Sequence, residues 1–220
     1  MTFSSPWMLG FLLPLGFAGF IMQGTNSLNQ AVCNNMLGIY GGDLYVGIMT
    51  VINSVKEMMF LAMHGFGAGA QPVLGYNYGA QLYDRLRKAL RFCIIVASIY
   101  AFVVAVLGEI FAPAIISAFR NDPEVIRLGA QVLRAQCLAF PLIGFVPLTN
   151  MYLQTTNQTV SAVTVAIARH GLFLIPALII GATFFGLKGI IAAQPVSDVL
   201  SFILALPLCI ISVRKLSGQR

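Results

Sequence analysis

A chain of 220 residues with 58% hydrophobic and only 9% charged side chains, and a mean hydropathy of +0.86, lies far from the roughly 25% charged and 45–50% apolar usage of soluble domains. That composition excludes a soluble globular domain and points to an all-α polytopic membrane protein; at about 20 residues per spanning helix plus connections, the length suits six spans. The formal charge of +6, from 13 basic and 7 acidic side chains, does not indicate a nucleic-acid partner, because most basic residues sit at the ends of apolar runs, where topology signals lie.

Six apolar stretches follow in order: Pro6 to Asn35, Leu44 to Phe66, Leu90 to Phe119, Val125 to Tyr152, Val160 to Phe185 and Ile190 to Val213. Together they predict one six-helix bundle over residues 1–220, each stretch long enough to cross about 30 Å of hydrocarbon. Met1 to Gly10 lacks a basic n-region, so no cleavable signal is expected. Along the first stretch, Gln23, Asn26, Ser27, Gln30 and Asn34 share one helical face. Gly41-Gly42 punctuates the chain before the second stretch, where Thr50, Asn53, Glu57 and His64 form another polar stripe with Lys56 at its edge.

The second stretch leads into "HGFGAGAQPVLGYNYGAQLYDRLRKALRF", His64 to Phe92. Gly65, Gly67 and Ala70 satisfy the loose G-x-G-x-x-G/A pattern of a dinucleotide-binding turn. That pattern has meaning only between a strand and a helix, and here a membrane helix precedes it with no phosphate-binding lysine in place. The glycines Gly65, Gly67 and Gly69 are instead expected to allow close helix packing and to break the span near the inner face, with Gln71-Pro72 and Asn77-Tyr78-Gly79 shaping the turn. Further on, "NDPE" is a helix start, with Asp122 as N-cap, Pro123 at the first helical position and Glu124 favourably placed against the dipole. Gln154 to Gln158 and Gly186-Leu187-Lys188-Gly189 mark the last connections, and Gln194, Asp198 and Ser201 align beside Pro195 on the final stretch.

Arg85, Arg87, Lys88, Arg91, Arg214, Lys215 and Arg220 fall on one face of the bundle, against Arg120, Arg127 and Lys188 on the other. The positive-inside rule then predicts both termini in the cytoplasm, with Trp7, Tyr76, Tyr78, Tyr83 and Tyr152 near the inner boundary and Tyr40 and Tyr45 near the outer one. The polar residues within the spans have two readings: hydrogen bonds between helices, or a cavity for a cationic substrate or a proton. Glu57 favours the cavity; His64 and His170 suit structural hydrogen bonds. Asp198 is a candidate proton or ion carrier or a partner for Arg169 or Arg134. Cys33, Cys93, Cys137 and Cys209 lie far apart without a C-x-x-C and suit a core or lipid-facing role. No H-E-x-x-H, G-x-S-x-G or Walker motif occurs, so no enzyme is expected.

"GAGAQPVLGYNYGAQLYDRLRKAL", followed by "FRNDPEVIRLGAQVLRAQCLAFPLIGF", "MYLQTTNQTVSAVTVAIARHGLFLIPALII" and "FGLKGIIAAQPVSDVLSFILA", resembles the second half of multidrug and toxic compound extrusion transporters. The resemblance covers nearly the whole chain. It implies one lobe of a twelve-helix antiporter of the bacterial cytoplasmic membrane, exporting lipophilic, cationic xenobiotics in exchange for Na+ or H+ and requiring no cofactor. Its partner would be the N-terminal six-helix half or a second copy of this chain. Gln23, Asn26, Gln30, Asn53 and Glu57 then become candidates for the polar cavity wall, Met49, Phe60 and Met63 for its apolar lining, and Glu57 and Asp198 for the ion carrier. The acids that some relatives carry on their seventh and tenth helices are replaced here by residues such as Gln23, Gln30, Arg134 and Gln136. Two alternatives stand beside this expectation: a lipid or lipid-linked glycan flippase with a larger, basic cavity, and a non-transporting half that only binds a partner bundle.

Overall fold

The computed structural model describes the backbone of residues 6–217 and the side chains of residues 27–215 other than His170. Among the described residues every element is helical. The first, α1 (Pro6–Gly79), contains one residue off the helical path, Gly42, at φ 68° and ψ −175°. A straight helix of 74 residues would run about 110 Å at 1.5 Å per residue, several times the hydrocarbon thickness. Instead the chain doubles back at Gly42, a conformation that costs glycine little because it has no Cβ. Leu37 on the first arm is buried with Ile48 and Ile52 on the second.

After a short turn comes α2 (Tyr83–Ser117), whose buried stripe Cys93, Ala97, Ala101, Ala105, Gly108 and Ala112 recurs every three or four residues. Small side chains there let neighbouring backbones approach closely; a Cβ on Gly108 would lie 2.5 Å from Cys137 Sγ. The opposite face exposes Phe92, Ile95, Ile99, Phe102 and Ile110, as a lipid-facing surface does. Exposed large apolar side chains on this scale are incompatible with water.

The next rod is broken. Helices α3 (Pro123–Cys137), α4 (Phe140–Ile143) and α5 (Phe145–Thr155) follow one another, and the axis bends by 47° between Pro123–Cys137 and Phe140–Thr155. The stretch from Val125 to Tyr152 is therefore bent rather than straight. Pro141 and Pro147 each remove a backbone donor and crowd the preceding turn. At its start, Asp122 accepts a hydrogen bond from the backbone N–H of Glu124 at 2.9 Å, with Pro123 in the first turn, as the "NDPE" motif predicts.

Helix α6 (Thr159–Ile167) passes into a π-turn at Ala168–Leu172, closed by Phe173 N–H donating to Ala168 O at 2.9 Å. The final element, α7 (Leu174–Ser217), doubles back at Gly186, φ 57° and ψ −133°. Its two arms touch backbone to backbone: a Cβ on Gly189 would overlap Gly181 O. Among the described residues three helices are long and apolar enough to cross a membrane, or four if the bent pair is one span. Because α1 and α7 are each hairpins, the described backbone forms six rods, the assembly of an all-α polytopic membrane protein.

The glycine-rich segment corrects an expectation. No break occurs at Gly65 to Gly69; α1 continues through Pro72 to Gly79 and ends only where Leu82 N–H closes on Asn77 O, with Gln81 at φ 57°. A helical glycine costs about 1 kcal/mol, whereas each unsatisfied backbone group in hydrocarbon costs several. The helix therefore persists. Of the three glycines only Gly67 has neighbours, Met151 and Leu148, at ordinary contact distance.

Gly189→Ala should lower thermal stability in detergent by about 1–3 kcal/mol, the usual cost of overpacking. Gly69→Ala, which meets nothing within 4 Å, should not destabilise. Equal melting temperatures for the two variants would contradict the hairpin contact.

Candidate functional site

A cavity of about 670 Å³ lies between the two arms of α1, the π-turn and both arms of α7. Its size is that of a small-molecule site. The first arm contributes Ser27, Gln30, Cys33 and Asn34; the second contributes Met49, Asn53, Lys56, Glu57, Phe60 and His64; Arg169, Leu174, Leu178 and Gln194 complete the wall. Of the candidates named from sequence, Gln30, Met49, Asn53, Glu57 and Phe60 thus come together on one surface. Gln23 and Asn26 lie outside the described side chains, as does His170. Met63 is buried and lines a second cavity of about 470 Å³ instead, with Gln71, Asn150, Met151 and Gln154. His64 and Arg169 border both cavities.

Arg169 joins the two spaces. Its Nε donates to Asp198 Oδ1 at 3.1 Å, and its guanidinium stands 5.6 Å from the ring centre of Phe60. Its own carbonyl, within the π-turn, accepts from Ser197 Oγ at 2.8 Å. Asp198 is only 3% exposed and lies behind Arg169, so of the two arginines weighed for it Arg169 is the partner. Arg134 is engaged elsewhere, its Nε donating to Glu109 O at 3.1 Å. Sequence reasoning names the Arg169–Asp198 pair as an alternative but does not place Arg169 on the cavity wall. A lone arginine in an apolar run is the signal that marks it.

Lys56 and Glu57 are neighbours in sequence and so diverge by about 100° around the helix. Glu57 is exposed towards the cavity mouth and has no hydrogen-bond or ion-pair partner among the described residues. Lys56 turns inward, where its Nζ donates to Gln136 Oε1 at 3.1 Å. Gln136 is fixed by its other end, Nε2 donating to Ile191 O at 3.1 Å. That carbonyl needs a donor because Pro195, four residues on within α7, has no N–H to offer. The amide is therefore oriented with its oxygen towards Lys56.

All four cysteines are free thiols, and among the described residues no three His, Cys, Asp or Glu side chains gather as a metal site. With Arg169 and Asp198 largely buried, Arg169→Ala should cost about 3–5 kcal/mol by leaving a buried carboxylate unpaired. Replacing both, Arg169→Met with Asp198→Leu, should recover most of the loss in a detergent melting experiment. A double variant no more stable than Arg169→Ala would show that the pair is not the cause.

The model of the MatE family matches residues 18–180. Multidrug export protein MepA of Staphylococcus haemolyticus is 25% identical over 90% of this chain and 43% of its own length. A transporter of Shewanella oneidensis named for FAD is 22% identical over 66% of this chain and 32% of its own. Among solved structures, the MATE multidrug transporter DinF-BH, in complex with a ligand, superposes with a TM-score of 0.77 at 33% identity, over 88% of this chain and 43% of that one. The chain thus spans less than half the length of these relatives, all of which are transporters. With a family model matched over most of its residues, a fold of long apolar helices and a cavity among them, the chain belongs to the MatE family of multidrug efflux transporters.

Proposed function

We propose that this chain forms one lobe of an antiporter that exports lipophilic organic cations in exchange for Na+ or H+, with the six rods spanning a bacterial cytoplasmic membrane and both termini in the cytoplasm. The observation that carries the reading is the unpartnered Glu57 at the mouth of a cavity lined by Met49, Phe60, Asn53 and Gln30. The Glu57 carboxylate, exposed in this half, is enclosed once a second bundle covers the cavity, and away from bulk water a carboxylate attracts a cation strongly while its neutral form does not. Protonation or occupation by Na+ therefore exchanges directly with the substrate's positive charge. Met49 and Phe60 supply an adaptable apolar surface for varied drug bodies.

In this proposal Glu57, and not Asp198, exchanges the cation, because Asp198 is committed to Arg169. The cavity is completed by a second six-helix bundle, either an N-terminal half or another copy of this chain, and rocking of the bundles gives access to alternate sides. Two relatives support drug export as the activity, since MepA is named as a multidrug export protein and DinF-BH as a multidrug transporter. The charges around the cavity, Lys56 and Arg169 against Glu57 and Asp198, balance; a flippase for anionic lipid headgroups would need an excess of basic residues.

In the complete transporter, Glu57→Gln should reduce rhodamine 6G efflux about tenfold, the effect of losing one charge-assisted contact. If H+ is the coupling ion, wild-type efflux should accelerate when the outer pH is lowered, and Glu57→Gln should flatten that response. Unchanged efflux with an unchanged pH profile would remove Glu57 from the mechanism.

A further inference from the structure

The cavity wall carries two charged side chains, Lys56 and Glu57, that make no ion pair among the described residues. Arg169 and Asp198 satisfy one another. What remains is Glu57 at the mouth and Lys56 deeper in the wall, both lining the same space. An ammonium has three donors. Among the described residues Lys56 makes one hydrogen bond, to the neutral oxygen of Gln136, and no carboxylate oxygen lies within 4.0 Å of it.

A lysine at this depth is costly in a membrane unless it meets a partner or water. Its single acceptor is itself held in place: Gln136 is 2% exposed and anchored to the carbonyl that Pro195 leaves without a donor. The amide cannot turn its NH2 towards Lys56 without abandoning Ile191 O. The ammonium therefore has donors to spare and lines a cavity that also offers Cys33, an aromatic ring, Phe60, and the aliphatic side chains Leu174 and Leu178.

We propose that Lys56 is an anion subsite in the deep wall of this cavity, receiving the carboxylate or phosphate group of a zwitterionic amphiphile whose cationic end reaches Glu57. The two adjacent residues point about 100° apart around the helix, so they engage opposite charges at separate places on one substrate. The apolar body between those charges lies against Phe60, Leu174 and Leu178. This rests on the reading of the cavity as a site for organic amphiphiles and narrows its substrate class: a free acid is favoured over its ester.

Rhodamine B and its ethyl ester share one cationic xanthene body and differ in a carboxylate, so their relative affinity isolates the subsite. Binding to the complete protein is measured by fluorescence polarisation in nanodiscs of phosphatidylcholine alone, where no anionic headgroup competes. The wild type should bind the acid at least as tightly as the ester. Lys56→Gln should lower the acid-to-ester affinity ratio about tenfold or more, the scale of a charge-assisted hydrogen bond, and Lys56→Arg should retain the wild-type ratio. A merely structural lysine would weaken both dyes alike, so an unchanged ratio in Lys56→Gln overturns the subsite. A wild type that binds the ester but not the acid overturns it too, while leaving the cavity's role with cations intact. Binding of neither dye overturns both.

Discussion

Inside hydrocarbon a backbone carbonyl that loses its helical donor has no water to turn to, and the arrangement of this bundle follows from how such carbonyls are satisfied. Pro113 in α2 and Pro195 in α7 each leave the carbonyl four residues earlier without a partner. Both vacancies are filled from α3: Arg134 Nε reaches Glu109 O, and Gln136 Nε2 reaches Ile191 O. Two positions apart, those side chains emerge on nearly opposite sides of one helix. Helix α3 therefore ties together α2 and α7, and a third connection, Ser197 Oγ to Arg169 O, fixes the π-turn to the second arm of α7.

The chemistry of the cavity descends from these ties. Because Gln136 must keep its NH2 on Ile191 O, it presents only an acceptor to Lys56. Arg134 faces α2, at Glu109, while Asp198 pairs with Arg169. The wall that results has one charge pair closed within it and two residues, Lys56 and Glu57, directed differently from adjacent positions. Met49 and Phe60 surround these with soft apolar surface. Charge and soft apolar surface thus come from different side chains of the same helical arm.

Much of this is visible in the one-dimensional pattern, and the failures have physical causes. The stripe Ser27, Gln30 and Asn34 and the stripe Asn53 and Glu57 keep a helical period, so periodicity alone places each set on one face, and all five line the cavity. "NDPE" is legible because capping is local. The glycine-rich segment misleads for the opposite reason: glycine's weak helix propensity is a local quantity, and the absence of water overrides it, so α1 runs on to Gly79. Proline signals bends, but the 47° break after Cys137 and the π-turn at Ala168–Leu172 depend on how neighbouring rods pack. The choice between Arg169 and Arg134 for Asp198 cannot be made from spacing; it follows from packing, which turns Arg134 towards α2 and brings Arg169 of the π-turn against α7.

The contact between Gly181 and Gly189 leaves no room for a side chain, and so the two arms of α7 cannot slide past or swing away from one another without losing it. Arg169 is attached to this hairpin through the π-turn, and Asp198 lies on its second arm. The acid and the base are thus two points on one stiff plate. Their separation, 3.1 Å between Nε and Oδ1, is set within that plate. Lys56 and Glu57 belong to a different hairpin, the one turned at Gly42. A displacement of one hairpin against the other would therefore carry Lys56 and Glu57 past the closed Arg169–Asp198 pair rather than pull that pair apart.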